Sequence, residues 1–300
     1  MASAPASEFA VLEATLEQKR LQVEAALLEL HRPGDVPGIA AAVEDSLFAP
    51  AKRLRPVLTL MVADVLRGDP ASVLPAGCAV EMVHTASLIL DDLPCMDDAS
   101  SRRGRPACHV VHGEAQAVLA AFALLNRAYE ILAEGWPGGP DATARAALAT
   151  DLARAVGPRG MIAGQAVDLD MTARTLDFAT LEFIHSRKTG ALFTASAAIG
   201  AAAAGARGPE RQAILAYAKN LGLAFQIVDD LLDATGAAHE AGKDVRQDAK
   251  KTTFVSFSGI EGARQLAAEL IAASREALAG FGQRAAPLHE LARYVVARRK

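Results

Sequence analysis

The chain has 300 residues, 51% apolar but only 5% aromatic, with a formal net charge of -4. That acid-leaning balance argues against a nucleic-acid partner, and Arg298, Arg299 and Lys300 read as a frayed basic tail rather than a binding patch. The three cysteines, Cys78, Cys95 and Cys108, lack metal-ligand spacing, which fits a reduced, cytoplasmic chain.

Residues 1–8 are expected to fray, and Glu8, Glu13 and Glu17 break any apolar leader. Helical periodicity then dominates, and no strand series is read. Residues 9–31 predict an amphipathic helix that Arg32-Pro33-Gly34 ends. Residues 54–66 predict a second, with Pro56 in its first turn. Residues 75–92 predict a long apolar helix opened by Pro75, and 114–133 the next. Gly135-Trp136-Pro137-Gly138-Gly139-Pro140 is a loop. Helices follow at 142–156, 161–170, 176–184 and 190–204. The uncharged run 189–206 borders on spanning length, but its Ala, Gly, Ser and Thr content predicts a buried core helix and no membrane span. Residues 211–233 form the second long helix, 236–248 a polar loop, and 261–278 and 287–298 the last helices. No linker divides the chain, so residues 1–300 are read as one all-α domain.

Two of these helices end in carboxylate clusters: Asp91-Asp92-Leu93-Pro94-Cys95-Met96-Asp97-Asp98 and Asp229-Asp230-Leu231-Leu232-Asp233. Carboxylates this dense repel one another unless cations lie between them. Hard oxygen donors favour Mg²⁺, which keeps waters and is shared with substrate phosphates. Asp229 and Asp233 are four residues apart and share a helical face. Asp91 and Asp97 are six apart, about 240° around a regular helix, so they meet only if Pro94 breaks it. An irregular turn is therefore expected from Leu93 to Asp97. The bland alternatives are a solvated acidic helix end for the second cluster and a calcium-stabilised loop for the first. Basic residues gather beside both: Lys52-Arg53-Leu54-Arg55-Pro56, Arg102-Arg103, Lys188-Thr189, and Lys243, Lys250 and Lys251. Arginine suits bidentate phosphate contacts and lysine point-charge contacts. The pattern suggests a diphosphate held by several metal ions.

These motifs resemble the trans-prenyl diphosphate synthase family over residues 43–299, and within it the bacterial geranylgeranyl diphosphate synthases of carotenoid pathways. Glu81-Met82-Val83-His84, Gly164-Gln165-Ala166-Val167-Asp168-Leu169-Asp170 and Phe225-Gln226-Ile227-Val228-Asp229-Asp230 add to the likeness. The resemblance implies the isoprenoid synthase fold, a large helical bundle around a central apolar cavity. It implies Mg²⁺-dependent condensation of isopentenyl diphosphate with dimethylallyl, geranyl or farnesyl diphosphate, and a homodimer. Asp91, Asp97 and Asp229 would bind three Mg²⁺ ions with diphosphate present, with Asp92, Asp230 and Asp233 in or near the shell. Arg102, Lys188, Thr189, Gln226, Lys243 and Lys251 would hold the allylic diphosphate, and Lys52, Arg55, His84 and Arg103 isopentenyl diphosphate. Departures from the family pattern stand at Ala51, Ser100, Ser101 and Arg246, none a proposed ligand.

The product tail should run along the helix away from Asp91. One helical turn, about 5.4 Å, is on the order of one extended isoprene unit. The small Ala86 and Ser87 therefore form an open floor and favour a C20 product, with Met82, Val83 and Leu119 as deeper walls. A farnesyl (C15) synthase is the nearest rival. A terpene cyclase of the same fold would lack the isopentenyl-binding basics and the Asp-rich second motif. A non-catalytic regulatory subunit would be expected to lose one acid motif.

Overall fold

Alanine and leucine, strong helix formers, pervade the chain. The computed structural model describes residues 8–171, 176–236 and 252–298, and thirteen α-helices lie among them. They are α1 (Ala10–Leu30), α2 (Pro37–Leu47), α3 (Leu54–Val65), α4 (Pro70–Asp91), α5 (Cys108–His112), α6 (Glu114–Glu134) and α7 (Ala142–Val156). Then come α8 (Met161–Asp170), α9 (Phe178–Lys188), α10 (Gly190–Ala203), α11 (Gly208–Ala234), α12 (Phe254–Ala277) and, after a 3-10 segment at Ala279–Ala285, α13 (Ala286–Ala297).

The two acid-tipped helices are the hubs. α4 packs against α1, α3, α6 and α10, and α11 against α9, α10, α12 and α13. Met82, Val83, Ala120 and Leu124 fill the core between α4 and α6, while Leu58, Phe193, Tyr217 and Leu291 fill the one under α11. The run expected to be a core helix is α10, buried on most faces. Its small residues permit close packing: a Cβ on Gly200 would stand 2.5 Å from the Thr59 carbonyl oxygen. Thr59 Oγ1 donates to the Ser196 carbonyl 3.0 Å away across the same contact. Among the described residues α4 is long and apolar enough to cross a membrane, and 67% of its apolar window is buried within the protein.

Several elements differ from expectation. α4 begins at Pro70, not Pro75, because the Asp69 carboxylate accepts from the Ala71 N–H at 3.0 Å and caps the helix one turn earlier. α9 begins at Phe178, where the Asp177 carboxylate accepts from the Thr180 N–H. α12 begins at Phe254 behind a Thr253–Ser256 capping box, and Gly259 at φ 72° interrupts its regular backbone. The short helices α2 and α5 carry too few turns to show a period and were not anticipated. Two-residue strands, β1 (Ser101–Arg102) and β2 (Arg105–Pro106), pair antiparallel where no strand is expected. Their turn holds Arg103 at φ 54° and Gly104 at φ 73°.

Both chain ends are corrected in part. Glu8, expected to fray, pairs with Arg293 of α13. Arg298, expected in a frayed tail, has a side chain only 7% exposed, and its interactions belong to the site below. Residues 1–7, 299 and 300 lie outside the described residues.

Candidate active site

α4 ends where Pro94, which has no N–H to donate, prevents continuation. The chain folds back through the expected turn. Asp97 N–H donates to the Asp91 carbonyl at 2.9 Å, and Ala99 N–H to the Asp92 carbonyl at 3.1 Å. Asp98 takes a left-handed φ of 49° to complete the turn. Asp91 and Asp97 are thereby brought to one mouth, as the break requires. Burial raises the Asp91 carboxyl to about 6, with Lys188 opposing the rise and Asp97 adding to it.

Lys188, the last residue of α9, reaches Asp168 of α8 at 2.8 Å and Asp97 at 3.8 Å. Gly164 makes this possible, since a Cβ there would lie 2.3 Å from the Lys188 backbone nitrogen. The next residue, Thr189, donates its hydroxyl to Gln226 Oε1 at 2.9 Å, and Gln226 Nε2 donates to Asp230 Oδ1 at 3.1 Å. The adjacent residues Lys188 and Thr189 thus connect the first acid cluster to the second.

The three acids of the second cluster are used differently. Asp229 accepts from Arg298 Nη2 at 2.6 Å, while the guanidinium lies 3.8 Å from the centre of the Phe225 ring. Asp230 is buried, and its Oδ2 accepts from the Phe254 N–H at 2.9 Å, so it also anchors the start of α12. Asp233 is half-buried one turn beyond Asp229.

Basic side chains flank α4. Arg55 Nη1 donates to His84 Nε2 at 3.0 Å, and its guanidinium lies 4.9 Å from the Phe193 ring centre. Burial lowers Arg55 to about 10, against the pull of Glu81 and with the push of Arg103. Burial also holds His84 well below 6.5, and the charges of Arg55 and Arg103 act the same way. Arg102 is engaged with Asp92, its Nε donating to Oδ1 at 2.9 Å, so in this state it faces a carboxylate rather than open space. Burial raises the Asp92 carboxyl, opposed by its bond to Arg102. Arg103 stands 3.9 Å from Glu81, and Lys52 is exposed at the head of its segment.

The structure therefore joins Lys188 to Asp97, Thr189 to Gln226 and Asp230, and Arg55 to His84. The predicted ligands Lys243 and Lys251, with Arg246 and Lys250, fall outside the described residues. Sequence reasoning gave no role to Glu81 or Asp168, although both lie in the stretches it singled out, and it misread Arg298. A signal was available for Glu81, an isolated acid within an apolar stretch of α4; Asp168, with Asp170 two residues on, carried no comparable mark.

Ala86, Met82 and Val83 are buried along α4, and Ser87 donates its hydroxyl to the His84 carbonyl at 2.8 Å. Leu119 is not a wall of this chain's interior. It is 48% exposed, because α6 buries the opposite face through Ala117, Ala120, Ala121 and Leu124.

Among the described residues, no three of the His, Cys, Asp and Glu side chains gather closely enough to hold a metal alone. The available donors at each motif are hard carboxylate oxygens, and Asp91 is crowded by Asp97. That donor set fits Mg²⁺ completed by water and substrate oxygens rather than a closed protein cage.

Comparison with known proteins gives a consistent result. The polyprenyl synthetase family model matches residues 36–279. Geranylgeranyl pyrophosphate synthase 9, chloroplastic, from Arabidopsis thaliana is 44% identical over 268 residues, covering 87% of this chain and 74% of that protein. The heterodimeric geranylgeranyl pyrophosphate synthase large subunit 1, chloroplastic, of the same plant is 42% identical, covering 87% and 72%. The crystal structure of an FPP/GFPP synthase from Zymomonas mobilis superposes with a TM-score of 0.84 at 35% identity, covering 95% of this chain and 98% of that one.

Proposed function

The chain belongs to the polyprenyl synthetase family, and on that premise we propose that it elongates allylic diphosphates with isopentenyl diphosphate and stops at the C20 geranylgeranyl product. One observation carries the reading: Lys188 and Thr189 connect the two acid-tipped helix ends through Asp97, Gln226 and Asp230. A diphosphate placed there meets carboxylates from two sides with cations between them.

In the proposed reaction, the allylic C–O bond breaks and its electron pair leaves with the diphosphate. The double bond of isopentenyl diphosphate then forms the new C–C bond, and loss of a proton to the departed diphosphate restores an alkene. Asp91, Asp97 and Asp229 would hold Mg²⁺, which when bound supplies charge to neutralise the departing diphosphate. Lys188 and Thr189 would orient that diphosphate and stabilise its growing charge by fixed hydrogen bonds. Asp168 holds Lys188 in place for this. Arg55, His84, Lys52 and Arg103 would seat isopentenyl diphosphate on the other side of α4's end. The buried apolar residues around Ala86 would exclude water from the cation. Released diphosphate is measured with Mg²⁺, isopentenyl diphosphate and geranyl diphosphate present. Mg²⁺-dependent release that Asp97→Asn and Asp229→Asn abolish supports the reading, and release indifferent to both substitutions sinks it.

We further propose a homodimer, supported by the exposed Leu119 and Phe122 on one face of α6. Light scattering that finds only monomer at micromolar concentration would count against it. A cytoplasmic location is proposed from the free cysteines Cys78, Cys95 and Cys108. Fractionation that recovers the protein elsewhere would overturn it.

A further inference from the structure

Arg53 lies between two proposed ligands, Lys52 and Arg55, yet its own side chain is 0% exposed. Its Nε donates to Glu24 of α1 at 2.9 Å and its Nη1 to Glu81 of α4 at 2.8 Å. Its Nη2 donates to the Leu47 and Ala49 carbonyls at 2.5 and 3.3 Å, where α2 ends. Arg53 also takes a left-handed φ of 49°, costly for a residue with a Cβ and tolerated only where surroundings over-determine it. That bend turns the chain between exposed Lys52 and the first turn of α3, which carries Arg55.

The same Glu81 oxygen lies 3.9 Å from Arg103, itself left-handed at φ 54°. Two strained arginines from separate segments therefore converge on one buried carboxylate. Each belongs to a segment assigned to isopentenyl diphosphate. The remaining member, Glu24, bonds Arg53 and Arg20, and its charge also acts on Arg103. It also precedes residue 36, where the family match begins.

We infer that Glu24 and Arg53 are positioning residues, which act through Glu81 and the bend at Arg53 to fix Lys52, Arg55 and Arg103 as the seat of isopentenyl diphosphate. This rests on the functional reading above and adds a residue of α1 to it. Removing the Glu24 carboxylate leaves the enclosed guanidinium with Glu81 but short of one counter-charge, and a buried charge that loses a partner draws its neighbours into a new arrangement. The rearrangement reaches the isopentenyl ligands first, because Arg53 is continuous with them in the chain. Of the allylic set, Lys188, Thr189 and Gln226 have no bond to this network among the described residues, and Arg102, the chain neighbour of Arg103, is held by Asp92 instead.

The test is steady-state kinetics of full-length Glu24→Ala and Glu24→Gln with each substrate varied in turn. A positioning role predicts KM for isopentenyl diphosphate raised about tenfold in the Ala variant and about threefold in the Gln variant, with kcat and the allylic KM within about twofold of wild type. Glu29→Ala, at an exposed position of α1, should match wild type. If the Ala variant does not fold, the Gln variant decides. An unchanged isopentenyl KM overturns the inference, as does a uniform fall in kcat that follows lost thermal stability. Should the wild type bind isopentenyl diphosphate but elongate nothing, the functional reading fails separately. Calorimetric binding of isopentenyl diphosphate to the same variants then decides this inference by the same selective loss.

Discussion

Arg298 Nη2 donates to Asp229 Oδ1 at 2.6 Å while its guanidinium covers the Phe225 ring, so the residue that follows α13 is bonded to the leading carboxylate of the second acid motif. Asp229 and Arg298 are only 20% and 7% exposed, which limits screening of the pair by solvent. In this arrangement an internal cation occupies the neighbourhood where Mg²⁺ is proposed.

Arg298→Gln should lower metal-free stability by roughly 1–3 kcal/mol, the cost of removing one charge-assisted hydrogen bond from a half-buried carboxylate. Adding Mg²⁺ with inorganic diphosphate should then stabilise the variant more than the wild type, since one cation bonded to Asp229 is gone. Denaturant unfolding with and without the two ligands checks this. Equal stabilisation of both proteins would show that Arg298 and the metal do not share Asp229.

Neighbouring acids of the second motif should separate into two phenotypes. Asp230 accepts from both Gln226 and the Phe254 N–H. Asp230→Asn turns one acceptor into a donor and should cost roughly 1–3 kcal/mol of stability. Asp229→Asn should instead remove turnover with a smaller effect on folding. Unfolding midpoints measured beside specific activities distinguish these outcomes, and a reversal of the two would contradict the assignment.

His84 supplies a pH dependence whose sign is fixed. Burial first, then Arg55, holds its folded pKa well below 6.5, and Arg55 donates to its neutral ring nitrogen. The unfolded chain takes up this proton near pH 6.5, whereas the folded one does not until much lower. His84 therefore contributes stability above about pH 6.5 that drains away as the pH falls towards its depressed folded value. His84→Gln should flatten the fall in stability between about pH 6.5 and 5 by up to one proton of slope. Identical slopes in wild type and variant would show that His84 is not held neutral.

Ala86, on the buried face of α4, is 4% exposed. Ala86→Phe adds an aromatic ring about one helical turn below Asp91, where the tail of a growing product is proposed to pass. The variant should release mainly C15 product. Chromatography of the dephosphorylated products checks it, and an unchanged product length would place the tail elsewhere.

Much of the fold was legible because long helices repeat their apolar face often enough to show a period. α7 and α8 begin and end where their residues predict. α2 and α5 have too few turns for that, and α4 starts early because Asp69 caps it, a signal masked by the more prominent Pro75. At the site, the break at Pro94 was legible since Asp91 and Asp97 cannot meet on a straight helix. Partners distant in sequence were not. Nothing local joins Glu24 to Arg53, or Asp229 to Arg298; those pairings exist only once α1 packs on α3 and α13 on α11. Leu119 was misplaced for a related reason, since two faces of α6 carry apolar residues and only packing decides which one is inside.

The most direct test of the central claim is the chain length of the product. The purified protein is incubated with Mg²⁺, isopentenyl diphosphate and, separately, dimethylallyl, geranyl and farnesyl diphosphates. We predict a dominant C20 product from the starters that are accepted. A dominant C15 product would keep the reaction and overturn the open floor at Ala86 and Ser87, and no elongation from any starter would contradict the proposed function.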